Sequence, residues 1–312
     1  MKSSFWKGKR VLVTGGNGFL GSHLVKELKK RGAEKIITPR KKDHDLRNKD
    51  ESIKLTKNTQ IVIHLAGNVG GIGYNQANPY ALFYDNLLMG LNVIDACRHN
   101  KVDKIVIIGT VCSYPKHTPV PFKESDLWNG YPEETNAPYG IAKKALLVQS
   151  LAYKAQFGLD VINLLPVNLY GPGDNFDPSS SHVIPSLIKK FHEAKIAGDS
   201  HVTVWGTGKA SREFFYVEDA ARAIADATEK CNQSEPINIG TGSEIKIKKL
   251  VEMIKKIVGY HGRIVWDKTK PDGQPRRMLD TSRARKLFGF QATTNLETGL
   301  RKTIEWYKST FA

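Results

Sequence analysis

One short window constrains this chain more than any other. Gly15-Gly16-Asn17-Gly18-Phe19-Leu20-Gly21 follows the apolar run Val11-Leu12-Val13-Thr14 and opens a segment with helical spacing. Glycines at 15, 18 and 21 give a turn that is free in φ and lets a second backbone come close. The following helix then starts with unpaired N–H groups and the positive end of its dipole. A strand–turn–helix of this form predicts the first βα unit of a parallel sheet, with a dinucleotide pyrophosphate resting on the turn. Gly15, Asn17, Gly18, Phe19, Leu20 and Gly21 are its candidate contacts.

The rest of the N-terminal half agrees with that start. Apolar runs at 10–14, 35–39, 61–66, 104–109 and 161–166 read as buried strands, and 20–31, 79–100 and 137–157 read as helices. This alternation predicts an α/β fold, a Rossmann-type doubly wound parallel sheet with helices on both faces. Beyond residue 170 the alternation weakens. A helix over 183–197, short strands near 202–205 and 264–266, and a helix over 296–307 predict a smaller C-terminal α/β substrate lobe. The boundaries read as 1–170 for the dinucleotide domain, with a later return segment near 214–242, and 171–312 for the second lobe. Ligands of open α/β sheets lie at the carboxyl ends of the strands. Leu65, Ala66 and Pro166 end strands there, and together with Asn168, Leu169 and His182 they are candidate cofactor contacts.

Composition removes several function classes. The 312 residues are 40% hydrophobic, enough for a filled interior. No apolar run reaches the about 18 residues that a membrane span needs, and the polar, basic stretch 1–10 does not read as a signal peptide. Cys97, Cys112 and Cys231 stand far apart, with no metal-ligand spacing and no disulfide framework. The expectation is a cytoplasmic protein without a metal. The formal net charge of +16 comes from Lys and Arg spread along the chain. It reads as a solvated basic surface, with no nucleic-acid or membrane partner.

The cofactor's identity turns on the end of the second strand. An NAD site places an acid there for the ribose hydroxyls. This chain has Thr38-Pro39-Arg40-Lys41-Lys42, which suits a 2′-phosphate. NADP (NADPH) is therefore favoured over NAD, with Arg40 and Lys41 as phosphate contacts and Asp45-Leu46 facing the adenine.

Chemistry enters with Tyr139 and Lys143. Four residues apart on a helix, they share a face. A cation at Lys143 is expected to lower the phenol's pKa and to hold the nicotinamide ribose, while the phenol exchanges a proton with a sugar oxygen. Thr110, just past the fourth strand, supplies the hydroxyl that completes the hydrogen-bonding trio. At these residues the chain resembles the extended short-chain dehydrogenase/reductases, from Val11 to about Tyr307. That family acts mostly on nucleotide-activated sugars.

Within the family, the 4,6-dehydratases typically carry Asp-Glu where Val111-Cys112 stands. The segments Thr110-Val111-Cys112-Ser113-Tyr114-Pro115 and Ser180-Ser181-His182-Val183-Ile184-Pro185 instead resemble the GDP-L-fucose synthases, the GDP-4-keto-6-deoxy-D-mannose 3,5-epimerase/4-reductases. So do Gly70-Gly71-Ile72, the stretch 166–176, Val204-Trp205-Gly206, Arg212-Glu213-Phe214 and the stretch 270–276. The resemblance implies that Cys112 and His182 invert C3 and C5 of a GDP-linked keto-deoxy sugar before NADPH reduces C4. Epimerisation or epimerisation–reduction of another nucleotide sugar, for example a GDP-4-keto-heptose, is the alternative. Lys190 and Arg212 are candidates for the substrate pyrophosphate, Trp205 for the base or sugar, and Asn168, Val183, Asp272 and Arg276 for further contacts. A homodimer through helices 79–100 and 137–157 is implied as well. Three positions depart from the branch: Asn17 where a basic residue is frequent, Thr110 where Ser is frequent, and Lys190 where Arg is common.

Overall fold

The computed structural model describes residues 4–270 and 272–311; Met1–Ser3, Pro271 and Ala312 lie outside it. In chain order the elements are β1 (Arg10–Thr14), α1 (Phe19–Lys30), β2 (Lys35–Ile37), α2 (Lys49–Thr56), β3 (Ile61–His64), α3 (Ile72–Ala77), α4 (Pro79–His99), β4 (Lys104–Ile108), α5 (Ala137–Phe157), β5 (Val161–Pro166) and β6 (Asn168–Tyr170). They continue with α6 (Val183–Ala197), β7 (His201–Trp205), β8 (Ser211–Tyr216), α7 (Val217–Lys230), β9 (Ile237–Ile239), β10 (Glu244–Lys246), α8 (Ile247–Val258), β11 (Arg263–Asp267), α9 (Ser282–Phe288) and α10 (Leu296–Phe311).

Six strands form a parallel sheet in the order β2-β1-β3-β4-β5-β9. The strands β3, β4 and β5 are buried at every position, as a sheet covered on both faces requires. Leu24 and Leu28 of α1 with Ala220, Ala223 and Ile224 of α7 cover one face. Val93, Ile94 and Cys97 of α4 with Leu146 of α5 cover the other. Gly90 lets α4 and α5 touch, because a Cβ there would stand 2.1 Å from Leu146 Cδ1.

The chain enters a second core after β5 and returns through α7 and β9 to the edge of the main sheet. This second core lies around Phe191 of α6, Ile254 of α8 and Ile304 of α10, with the small sheets β10-β8-β6 and β11-β7. Register does the positioning. Thr14 pairs with His64 and His64 with Ile107, so the carboxyl ends of β1, β3 and β4 meet at one edge.

Candidate active site

The glycine turn is held by backbone. Gly15 adopts φ +69°, and Gly18 donates its N–H to Gly15 O at 3.0 Å. A Cβ on Gly21 would stand 2.1 Å from Gly15 O, so only glycine permits this approach of α1 to the turn. Gly18 caps α1 without a side chain, which leaves the first-turn N–H groups for a ligand. Asn17 Nδ2 donates to Thr38 O at 3.0 Å and ties the turn to the end of β2. Phe19 and Leu20 are half-buried; the Phe19 ring meets His23 edge-on and Leu20 packs on the core.

Beside the turn lies a cavity of about 410 Å³, walled by Gly15, Lys41, Asp45, Leu46, Ala66 and Tyr74 among others. Its shape and the glycine cradle fit a dinucleotide. The Asp45 carboxylate accepts from Arg47 Nη2 at 2.6 Å, and this contact holds it below its ordinary pKa. Asp45 is thus engaged by a cation, and Lys41 stands on the cavity wall. Arg40 is exposed and is not among the residues that line the cavity. Leu65 packs half-buried on the core beneath the site, and Ala66 N–H donates to Thr14 Oγ1 at 3.2 Å.

The catalytic edge is built by α5 closing onto the turn after β4. Thr110 caps a single 3-10 turn over Val111–Ser113, its Oγ1 accepting from Cys112 N–H at 3.1 Å. Gly140 makes the contact possible, since a Cβ there would lie 2.4 Å from Cys112 O. Tyr139 precedes it, and Lys143 Nζ lies 5.8 Å from the Tyr139 ring centre. The expected lowering of the phenol's pKa is not what the fold produces. Burial raises Tyr139, and a negative charge on Cys112 adds to the rise. Burial also pushes Lys143 down to about 8, so the cation that was to oppose the effect is itself weakened.

The Cys112 sulfur stands between two groups. Its thiol donates to Asn136 Oδ1 at 3.6 Å, and Arg277 Nη1 donates to it at 3.6 Å from the other side. An acceptor thus faces the sulfur on one side and a donor on the other. Arg277 is buried, bonded to Gln274 Oε1 at 3.1 Å and Asn168 Oδ1 at 3.3 Å. Asn168 Nδ2 in turn donates to Glu213 O, while Pro166 ends β5 and Leu169 packs on the core.

His182 stands in the cap position just before Val183 opens α6. Its loop leans on the first lobe: Gly71 N–H donates to Ser180 O at 2.9 Å. Protein atoms crowd the imidazole although solvent reaches it, and this crowding, then the Arg277 charge, hold its pKa below the ordinary value. The same Arg277 charge acts on Arg212, which burial pushes down to about 10. Arg212 donates to Ser211 O and Asp272 O.

Farther out, Trp205 is 51% exposed and therefore not a core tryptophan. Lys190 and Lys270 approach its ring to 5.9 and 5.3 Å, and Lys190 also donates to Thr203 O. Two candidates have other employment. Asp272 accepts from Thr207 N at 2.7 Å and Thr207 Oγ1 at 2.6 Å, so its carboxylate braces the loop after β7. Arg276 turns outward and donates to Glu244 at 3.0 Å; its neighbour Arg277 is the guanidinium in the site. Sequence reasoning missed Arg277 and Asn136, the two groups beside the Cys112 sulfur. Among the described residues no group of three or more His, Cys, Asp or Glu could hold a metal ion. No helix there is long and apolar enough to cross a membrane.

Residues 11–240 match the NAD dependent epimerase/dehydratase family.

The chain belongs to that family.

It is similar over 303 residues to GDP-L-fucose synthase 1 of Arabidopsis thaliana, at 40% identity, covering 96% of this chain and 94% of that protein. Two solved structures of family-like fold superpose along nearly the whole chain. A GDP-6-OMe-4-keto-L-xylo-heptose reductase from C. jejuni matches with TM-score 0.93 and 29% identity, covering 99% of each chain. A GDP-L-fucose synthetase from Naegleria fowleri bound to NADP matches with TM-score 0.88 and 27% identity, covering 100% of this chain and 97% of that one.

Proposed function

We propose that this chain is an NADPH-dependent epimerase/reductase that converts GDP-4-keto-6-deoxy-D-mannose to GDP-L-fucose, by inversion at C3 and C5 followed by reduction at C4. The observation that carries this reading is the Cys112 thiol, set between Asn136 and Arg277 and near enough for its charge to act on Tyr139. A reductase alone has no use for a thiol held this way.

A C4 carbonyl makes the C–H bonds at C3 and C5 acidic. Cys112 and His182 form the base/acid pair that removes and returns those protons. Negative charge then gathers on the C4 oxygen. Thr110 Oγ1 already accepts the Cys112 N–H, so its own proton is free to be donated there. Tyr139, raised by burial, stays protonated and donates as well. When bound in the cavity beside Gly15, NADPH supplies hydride to C4. Tyr139 then delivers its proton to the C4 oxygen, and Lys143 holds the phenol and the ribose. Arg212 and Lys190 face the diphosphate, and Trp205 gives the nucleotide a surface to pack on.

The second reading keeps the machinery and changes the sugar. It is favoured by the 0.93 TM-score to a reductase of a GDP-linked keto-heptose. NADPH consumption at 340 nm with each GDP-4-keto sugar separates the two. Turnover with the heptose alone would overturn the deoxymannose reading.

We also infer a cytoplasmic homodimer. The three free cysteines suit a reducing compartment. Tyr80, Phe83, Tyr84 and Leu91 of α4 and Val148 and Phe157 of α5 leave large apolar side chains exposed on two adjoining helices.

A further inference from the structure

We propose that Asn75 is a positioning residue for Cys112, acting through Asn136; the proposal rests on the epimerase reading above. Asn75 lies on α3, 4% exposed, and its Nδ2 donates to Asn136 Oδ1 at 3.1 Å. That oxygen is the one that accepts from the Cys112 thiol. Asn136 is locked from its other end too, because its Nδ2 donates to the Glu133 carboxylate and to Thr135 Oγ1. The two amides therefore have one consistent orientation. Turning Asn75 over would set its oxygen against Asn136 Oδ1. Turning Asn136 over would set its oxygen against Glu133.

This orientation has a cost. Asn75 Oδ1 is buried and has no hydrogen-bond partner among the described residues. A buried amide kept only for packing would be expected to satisfy both ends or to be replaced by an apolar side chain. What the arrangement secures is an acceptor facing the sulfur. Asn136 Oδ1 accepts from the sulfur on one side, and Arg277 Nη1 donates to it on the other. A group that must take a proton and give it back is served by an acceptor and a donor held at the same atom.

The element that carries Asn75 is placed for this work. Tyr74, its neighbour, lines the dinucleotide cavity, where its hydroxyl donates to Asn68 Oδ1 at 2.7 Å. Gly71, at the start of α3, bonds to Ser180 O, two residues from His182. One short helix thus touches the cofactor wall, the thiol's acceptor and the imidazole's loop.

The test is Asn75→Leu, with Asn75→Ala as a second variant that avoids any clash. The expected result is a fall of tenfold or more in solvent deuterium wash-in at C3 and C5. NADP⁺-dependent oxidation of GDP-L-fucose, which needs no epimerisation, stays within threefold of the parent, and the thermal midpoint does not drop. With one lock on Asn136 gone, the thiol spends less time on its acceptor beside Arg277. Iodoacetamide labelling of Cys112 at pH 7, located by mass spectrometry, then rises threefold or more. Unchanged labelling together with unchanged wash-in would overturn the proposal. So would a parallel loss of wash-in, oxidation and thermal midpoint, which marks a residue that only supports the fold. A parent protein that turns over no GDP-sugar sinks the functional reading, and the labelling still decides the role of Asn75.

Discussion

Arg277 Nη1 lies 3.6 Å from the Cys112 sulfur, while Arg276, its neighbour, donates outward to Glu244. Adjacent arginines in this extended stretch point to opposite sides, so substitution separates them sharply. Arg277→Met removes a donor from both the sulfur and Asn168 Oδ1. It is expected to lower kcat/KM by on the order of 100-fold, equivalent to about 2.7 kcal/mol. Arg276→Ala loses an exposed ion pair and should stay within about threefold. Equal effects of the two changes in steady-state assays would contradict the placement.

That pair also shows where sequence reasoning reaches its limit. The glycine turn, the strands β1, β3, β4 and β5, and the Tyr139–Lys143 face were legible because each is a local pattern of fixed period. The choice between Arg276 and Arg277 was not, because residues 272–280 follow no regular period that would tell which side faces in. Asn75 and Asn136 lie 61 residues apart and meet only once α3 and α5 are packed. Asp272 looked free because its partner, Thr207, is 65 residues away. The same holds for β6, β8 and β10: three-to-six-residue strands whose partners are remote give no signal in one sequence.

Lys143 makes activity and stability respond to pH in opposite directions. Its pKa is pushed from 10.5 down to about 8 by burial. Below about 8 it is a cation in folded and unfolded chains alike, and burying the charge is a standing cost. Between about 8 and 10.5 the folded chain releases the proton and the unfolded chain keeps it, so this contribution to stability improves as pH rises. The cation needed at the cofactor is lost over the same window. The pH profile of kcat/KM for NADPH should therefore fall on its basic side with a midpoint near 8. Lys143→Met should remove that limb and lower the whole profile at least 100-fold; a limb that survives in the variant belongs to another group.

Cofactor choice should depend on Lys41 and hardly on Arg40. Lys41 stands on the cavity wall, and Arg40 does not. Lys41→Ala is expected to reduce the preference for NADPH over NADH about tenfold, the loss of one cation–phosphate contact. Arg40→Ala should change it less than threefold. Comparing kcat/KM for the two cofactors measures both, and a larger loss with Arg40→Ala would show that Arg40 swings inward on binding.

Gly21 offers a test of the cradle itself. A methyl group there would meet Gly15 O at 2.1 Å, a contact that backbone on both sides must move to relieve. Gly21→Ala should cost about 1–3 kcal/mol of stability and weaken NADPH binding at least tenfold, read by thermal unfolding and by fluorescence titration. Gly73→Ala is the control. It has open space around its Cβ position and should leave NADPH affinity unchanged.

The apolar side chains left on α4 and α5 give the last test. Tyr80, Phe83, Tyr84 and Leu91 follow helical spacing along one side of α4, and Tyr80 and Tyr84 stack at 5.3 Å while 72% and 45% exposed. Stacked aromatics facing water lose less freedom when covered than separate, mobile ones do. Two copies related by a two-fold axis would bring α4 and α5 of one protomer against the same pair of its partner, burying these side chains twice over. Light scattering after gel filtration should give twice the mass of the 34.8 kDa chain. Phe83→Asp places a charge in that seam and should yield monomers at micromolar concentration, with the sheet and the glycine turn intact and NADPH still bound. The candidate site draws on the turn after β4, α5, β6, the loop before α6 and the stretch that carries Arg277, all of a single chain, so the monomer should keep its epimerase chemistry. A parent protein that elutes as a monomer would rule this seam out.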